Sequence, residues 1–298
     1  MQSIKVKVLT VFMSLVMAVA MFPALSSNAA TQNGNCGAQG SNVKFTLTND
    51  GTLTLSGSGD MKDFIYDSTT DVPWYKNRSF IKKVVVENGI TRIGNYSFVW
   101  CTGIESVEFR GTTLKSIGSY AFYESANLKK IAFPAGLASI GKLAFCYSGL
   151  TAASFPSSLR TIGYGAFADC HLVSIWLPGG VNTIGDFAFR GNKQLVKVTG
   201  GAGLKTIGVQ AFEHCWKLNK FVITSKKLKK IGKACFLCDS KLKTLSIKKT
   251  TKLTKKGVKN SLYLSSVKKV KVKKSKVKKY RKYFTYRNCA KRGVKVKK

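Results

Sequence analysis

A seven-residue pattern recurs along this chain: a polar residue, isoleucine and glycine, two variable residues, a small residue and a phenylalanine. It reads RIGNYSF from Arg92, SIGSYAF from Ser116, SIGKLAF from Ser139, TIGYGAF from Thr161, TIGDFAF from Thr183, TIGVQAF from Thr206 and KIGKACF from Lys230. The isoleucines Ile93, Ile117, Ile140, Ile162, Ile184, Ile207 and Ile231 stand 24, 23, 22, 22, 23 and 24 residues apart. A near-constant period of this length marks a solenoid, in which each coil buries its apolar side only against its neighbours.

Each period carries two apolar anchor sets. In LKKIAF, Leu128, Ile131 and Phe133 alternate with Lys130 and Ala132, the pattern of a short half-buried strand. The same places are taken by Ile104, Val107 and Phe109, by Leu150, Ala153 and Phe155, by Leu172, Ile175 and Leu177, by Leu218, Phe221 and Ile223, and by Leu242, Leu245 and Ile247. A proline or glycine turn such as FPAG or LPGG follows, then a second extended piece ending at the isoleucine. The glycine after it allows a turn or a close backbone approach. A brief helical turn then drives Phe98, Phe122, Phe145, Phe167, Phe189, Phe212 or Phe236 into the core. Nine parallel strands are expected, centred near Val84, Val107, Ile131, Ala153, Ile175, Val198, Phe221, Leu245 and Val270.

The combination of LxxIxFP, a variable turn and SIGxxAF resembles the BspA-like class of leucine-rich repeats, found in exported bacterial and some protist proteins, over about residues 81 to 250. GTLTLSGSGDMKDF from Gly51 and PWY from Pro73 resemble the leader module that often precedes such repeats. The expected fold is α/β leaning to mostly β: a leucine-rich-repeat solenoid of short parallel strands with brief helical turns and an N-terminal β-hairpin cap. The resemblance implies a surface or secreted binding protein, with adhesion as one role of family members. It carries over no binding residue, because the shared motif is scaffold.

The chain divides by composition into a leader over 1–30, a capping module over 31–80, the repeats over 81–250 and a lysine-rich end over 251–298. Two lysines precede an apolar run from Val8 to Phe22 broken only by Thr10 and Ser14, and SSNAAT from Ser26 offers small residues for cleavage. This reads as a secretory signal peptide rather than an uncleaved anchor, because the run is short for a membrane span. The expected mature chain is secreted or at the cell surface, held to the envelope without a covalent link or a transmembrane segment. In the capping module, VKFTLTNDGTLTLSG alternates on both sides of Asn49-Asp50-Gly51, a hairpin signal.

Charge is distributed unevenly. Residues 226–298 hold 29 of the 50 lysines and arginines and a single acid, Asp239. A polyanion-facing surface is therefore expected there, made by Lys268, Lys269, Lys271, Lys273, Lys274, Lys278, Lys279, Arg281 and Lys282. Val267, Val270 and Val272 are expected in a last strand, with Val277, Tyr280 and Phe284 along one side of a short helix after Ser275. Export favours an anionic wall polymer or acidic polysaccharide over nucleic acid as the partner.

Chemistry-bearing residues do not assemble into a site. Cys101, Cys170 and Cys215 each follow a repeat phenylalanine by three residues, where other coils have Ser125, Ser148 or Asn192. Cys235 and Cys238 form a C-x-x-C, but Cys235 occupies the small-residue slot, which favours burial. If any pair bridges, Cys215 and Cys238, one coil apart, are the candidates. His171 and His214 are the only histidines and sit at different places in their coils. No catalytic residue, metal or cofactor is expected.

The remaining candidate is the outward row of the strands. It contains Val85, Glu108, Ala132, Ser154, Trp176, Thr199, Val222, Ser246 and Lys271, flanked by Lys83, Lys130, Lys197, Lys220 and Lys269. A tryptophan there suits a contact hot spot, and the expected ligand face is Glu108, Lys130, Trp176, Lys197 and Lys220. A one-residue strand shift, or a Trp176 packed flat on its neighbours, is the structural alternative. The expected partner is an extracellular protein or glycan; a wall-associated structural protein held by charge alone is the other reading.

Overall fold

A computed structural model describes residues 32–65 and 71–298; the expected signal peptide lies outside them. β1 (Gln32–Gly37), β2 (Gly40–Leu47) and β3 (Thr52–Gly57) form an antiparallel meander. β3 then pairs in parallel with β4 (Lys83–Val86), Leu53 opposite Val84, so the hairpin's second strand is already the first rung of the solenoid. The rungs continue as β5 (Ser106–Phe109), β6 (Lys130–Ala132), β7 (Ala152–Ser154), β8 (Ser174–Leu177), β9 (Lys197–Gly200), β10 (Lys220–Ile223), β11 (Thr244–Ile247), β12 (Lys269–Val272) and β13 (Lys295–Lys297). All nine expected centres lie on these strands. β12 is not the last, because β13 adds in parallel beyond it.

The rungs fall into three hydrogen-bonded groups: β1 to β5, the pair β6 and β7, and a six-stranded sheet from β8 to β13. Across the core, the residues that end in the repeated isoleucine make an unbroken eight-stranded ladder from Gly59–Asp60 to Lys230–Ile231. The glycine after each isoleucine is there for close approach. A Cβ on Gly141 would lie 2.7 Å from the Gly118 carbonyl carbon, and one on Gly185 2.6 Å from that of Gly163. Backbone therefore packs on backbone from coil to coil, where a side chain would push the coils apart.

The repeat phenylalanines Phe98, Phe122, Phe145, Phe167, Phe189, Phe212 and Phe236 are fully buried. They stack nearly parallel, with centroids 5.0 Å apart for Phe98 and Phe122, 5.3 Å for Phe145 and Phe167, and 6.1 Å for Phe212 and Phe236. Trp74, from the PWY of the leader, extends the column at 5.4 Å from Phe98 and donates its indole N–H to Ser97 O at 2.9 Å. Rings on the strands meet the column edge-on, as Phe221 does Phe236 at 4.9 Å. Offset-stacked and edge-to-face contacts are the two favoured ring geometries, so the column gains from both directions.

The turns around each phenylalanine carry a pair of left-handed residues, for example Tyr120 and Glu124, Leu143 and Tyr147, or Gln210 and His214. A non-glycine residue there costs of order 1–2 kcal/mol. Across this turn alternate backbone N–H groups point to the next coil: Leu143 N donates to Tyr164 O at 2.8 Å, Phe145 N to Ala166 O at 2.8 Å and Tyr147 N to Ala168 O at 3.0 Å, while Cys146 N returns to Leu143 O at 3.2 Å. These bonds fix the conformation that neighbouring residues alone would not adopt. The same pair recurs at Asn260 and Leu264, placing buried Leu262 in the phenylalanine slot of a further coil that the motif does not announce.

At the carboxyl end Val267, Val270 and Val272 are buried, and α1 (Val277–Arg281) follows. Tyr280 and Phe284 are buried, Val277 packs against the core, and the Tyr280 hydroxyl donates to Thr250 O at 3.4 Å. The lysines between these anchors are left outside.

Candidate binding face

Alternation along each strand decides what the outer face displays. The inward anchors Ile131, Ile175, Leu177, Phe221, Ile223, Leu245 and Ile247 are buried, whereas Val107, Phe109 and Ala153 are half-buried yet pack against the core. Between Ile175 and Leu177, Trp176 is 63% exposed, so the strand is not shifted by a residue and the indole is not folded flat into its neighbours. Val85 departs from the expected outward row. It is 2% exposed, although it lies outside the main core cluster.

The amino-terminal end of this face is neutralised. Glu108 accepts ion pairs from Lys83 at 2.7 Å and from Arg110 at 2.7 Å, and Arg110 reaches Glu87 at 2.9 Å. The Arg110 and Lys83 hydrogen bonds hold the Glu108 carboxyl down at about 2. Glu108 is thus committed to neighbours on its own sheet, while Lys130 is exposed on β6 with no such partner.

The carboxyl-terminal part is different. Beyond Arg190 the chain has two acids, Glu213 and Asp239, and both are buried. Register then aligns cations across strands: Lys197 stands beside Lys220, Lys269 beside Lys295 and Lys271 beside Lys297. Thr244 sits beside Lys269 and Ser246 beside Lys271. Trp176 lies in the row of Lys271, through Thr199, Val222 and Ser246.

The nine expected polyanion-binding residues consequently separate. Lys269 and Lys271 lie on the strand face, with exposed Lys268 directly before β12. Lys273 and Lys274 are exposed in the turn after it, and Lys278, Lys279, Arg281 and Lys282 are exposed on and just after α1. Lys295 and Lys297, absent from the expected set, join the strand face because β13 pairs with β12. The alternating KVK triplet was the available signal.

The reactive residue types are structural. Cys235 is buried and Cys238 exposed, so the C-x-x-C does not converge, and every described cysteine is a free thiol. Burial pushes the Cys170 thiol up to about 12 and those of Cys215 and Cys235 well above their ordinary value. Cys170 donates to Phe145 O at 3.1 Å, and Cys215 to Phe189 O at 3.3 Å. Arg190 ties Glu213 at 3.1 Å and Asp169 at 3.7 Å. Among the described residues, no group of three or more His, Cys, Asp or Glu side chains is placed to hold a metal ion.

The fold and this face define a repeat solenoid of parallel strands with a display surface. The chain belongs to the BspA-type leucine-rich repeat family: the model of the BspA type leucine rich repeat region matches residues 73–193 and 161–291. Repeat regions of this type are non-catalytic. Among solved structures, a leucine-rich repeat protein from Eubacterium ventriosum is 23% identical, with 82% of this chain and 79% of that one covered and a TM-score of 0.52. One from T. pallidum is 27% identical over 59% of this chain and 88% of the other, with a TM-score of 0.46. One from Bacteroides ovatus is 20% identical over 86% and 75%, with a TM-score of 0.47. No curated protein matches the chain. No helix among the described residues is long and apolar enough to cross a membrane.

Proposed function

We propose that this protein is exported, stays at the cell surface, and binds an extracellular protein or glycan through the outer face of its strands, while its basic end holds an anionic envelope polymer. The observation that supports this reading is the exposed Trp176 on β8, with Lys197 on the next strand and Lys220 on the one after it, in a face whose intervening residues Thr199 and Val222 are short. Large aromatic side chains with mobile cations around them are the groups from which binding hot spots are made. The resemblance to exported surface proteins and the leader at residues 1–30 support the location.

Retention by charge alone is the competing reading, favoured by the excess of lysine over residues 226–298. Binding of the full chain and of Trp176→Ser to a panel of immobilised extracellular proteins and glycans, beside purified envelope polymer, separates the two. A tenfold loss for the variant, about 1.4 kcal/mol, with its melting unchanged supports recognition at the strand face. Equal binding by both proteins, abolished between about 50 and 500 mM salt as exposed charges are screened, supports simple retention.

A further inference from the structure

The strand face and the basic end are separate features of the sequence, but the register joins them. β8, which carries Trp176, and β13, which carries Lys295 and Lys297, are the two edges of one six-stranded hydrogen-bonded sheet. We infer that this sheet is a single binding site for a linear polyanion lying across the strands along the solenoid axis, with Trp176 at one end and Lys269, Lys271, Lys295 and Lys297 at the other. The inference rests on the strand-face reading above and narrows its ligand to one extended chain.

Three observations favour this occupant. The first is that like charges stand side by side on neighbouring strands three times, Lys197 with Lys220, Lys269 with Lys295 and Lys271 with Lys297. Directly opposed like charges destabilise a sheet, and no exposed acid beyond Arg190 relieves them. A polyanion laid across the strands would offset all three repulsions together. The second is contrast along the same face: at β4 and β5 the cations Lys83 and Arg110 already have Glu108 and Glu87, so nothing there calls for an anionic partner. The third is shape. The residues separating the cations in these rows, Thr199, Val222, Thr244 and Ser246, are short, leaving the rows open to a chain that passes over them. From β8 to β13 there are five strand spacings, a span of about 24 Å.

The span supplies the test. Heparin-derived oligosaccharides of graded length are titrated against the full chain, and glycerol-phosphate oligomers of matched length form a second arm that separates sulfated glycans from phosphodiesters as the source of charge. The expected result is an affinity that rises at least tenfold once a probe exceeds about 24 Å, and a melting temperature raised by the long probe more than by the same concentration of charge as inorganic sulfate. Trp176→Ser and the pair Lys269→Gln with Lys271→Gln should each remove most of that gain for the same long probe, a loss larger than either causes for the shortest probe.

If affinity does not depend on length, or if the two variants impair binding of different probes independently, the single site is overturned while the surface-binding function stands. Loss of response to Trp176→Ser in every arm would overturn both. Unfolding of the double lysine variant is checked by melting. Lys295→Gln with Lys297→Gln, on the edge strand, provides the replacement, with the same expected loss.

Discussion

Three residues after each core phenylalanine, one slot passes through Cys101, Ser125, Ser148, Cys170, Asn192, Cys215 and Asp239, and all seven are buried. In Cys170, Asn192, Cys215 and Asp239 it bonds the backbone of a neighbouring coil, whereas the Ser125 hydroxyl has no partner. Asn192 donates to Phe167 O at 2.7 Å and Phe189 O at 3.0 Å while its carbonyl accepts from Leu172 N at 3.1 Å. Asp239 fills the slot with a carboxyl: Oδ1 accepts from Cys215 N at 2.8 Å, and Oδ2 has no partner. Burial pushes this carboxyl up to about 9, against the pull of the Cys215 N–H and with a further rise from Glu213; the buried thiols of Cys215 and Cys235 are its other titratable neighbours. A carboxyl whose folded value exceeds its unfolded one binds more protons when folded. Its stabilising contribution is therefore complete below about pH 4 and is lost as pH rises to about 9, by at most about 1.4 kcal/mol per pH unit. Asp239→Asn should raise stability at neutral pH and flatten the decline between pH 5 and 8, read from urea midpoints across that range. A variant less stable than the parent at pH 7 would show that the carboxyl is ionised and paired.

The phenylalanine column sets the cohesion of each element. Phe167 contacts Phe145 at 5.3 Å and Phe189 at 5.6 Å, and receives Phe155 edge-on at 5.4 Å. Phe167→Ala should cost about 3–5 kcal/mol, as other large-to-small changes in packed cores do, visible as a lower melting temperature. Because the surrounding backbone is held by coil-to-coil hydrogen bonds as well as by rings, circular dichroism at low temperature should remain that of the parent. An unchanged melting temperature would mean that the column fills space without carrying stability.

For the whole molecule, neighbour contacts dominate: each rung meets only the rung before and after it, and stability accumulates along the stack. Removing residues 151–172, one 22-residue period, brings Leu150 to the place of Leu172 and leaves every other coil with a neighbour of the same kind. The shortened chain should unfold cooperatively. A non-cooperative melt of the deletion would point to a long-range dependence between the ends. The ends themselves are closed differently, by the β1 to β3 meander with Trp74 at one and by α1 with the lysine-rich β13 at the other. Lysine on an edge strand also discourages pairing with another chain.

The period alone determined the coil. Its isoleucine, glycine and phenylalanine repeat at fixed spacing, and burial of apolar groups at that spacing leaves one arrangement, a stack of parallel rungs. The hairpin at Asn49-Asp50-Gly51 and the exposure of Trp176 followed from local alternation, which side-chain direction in a strand dictates. Tertiary structure decided what depends on register between residues far apart in sequence. It placed Trp74 on the phenylalanine column, tied Glu108 to Lys83 and Arg110, and gave Leu262 a slot its own motif conceals. It also set Lys271 in the row of Trp176, 95 residues away. No local pattern carries such pairings, because they are fixed only when each coil has settled against the next.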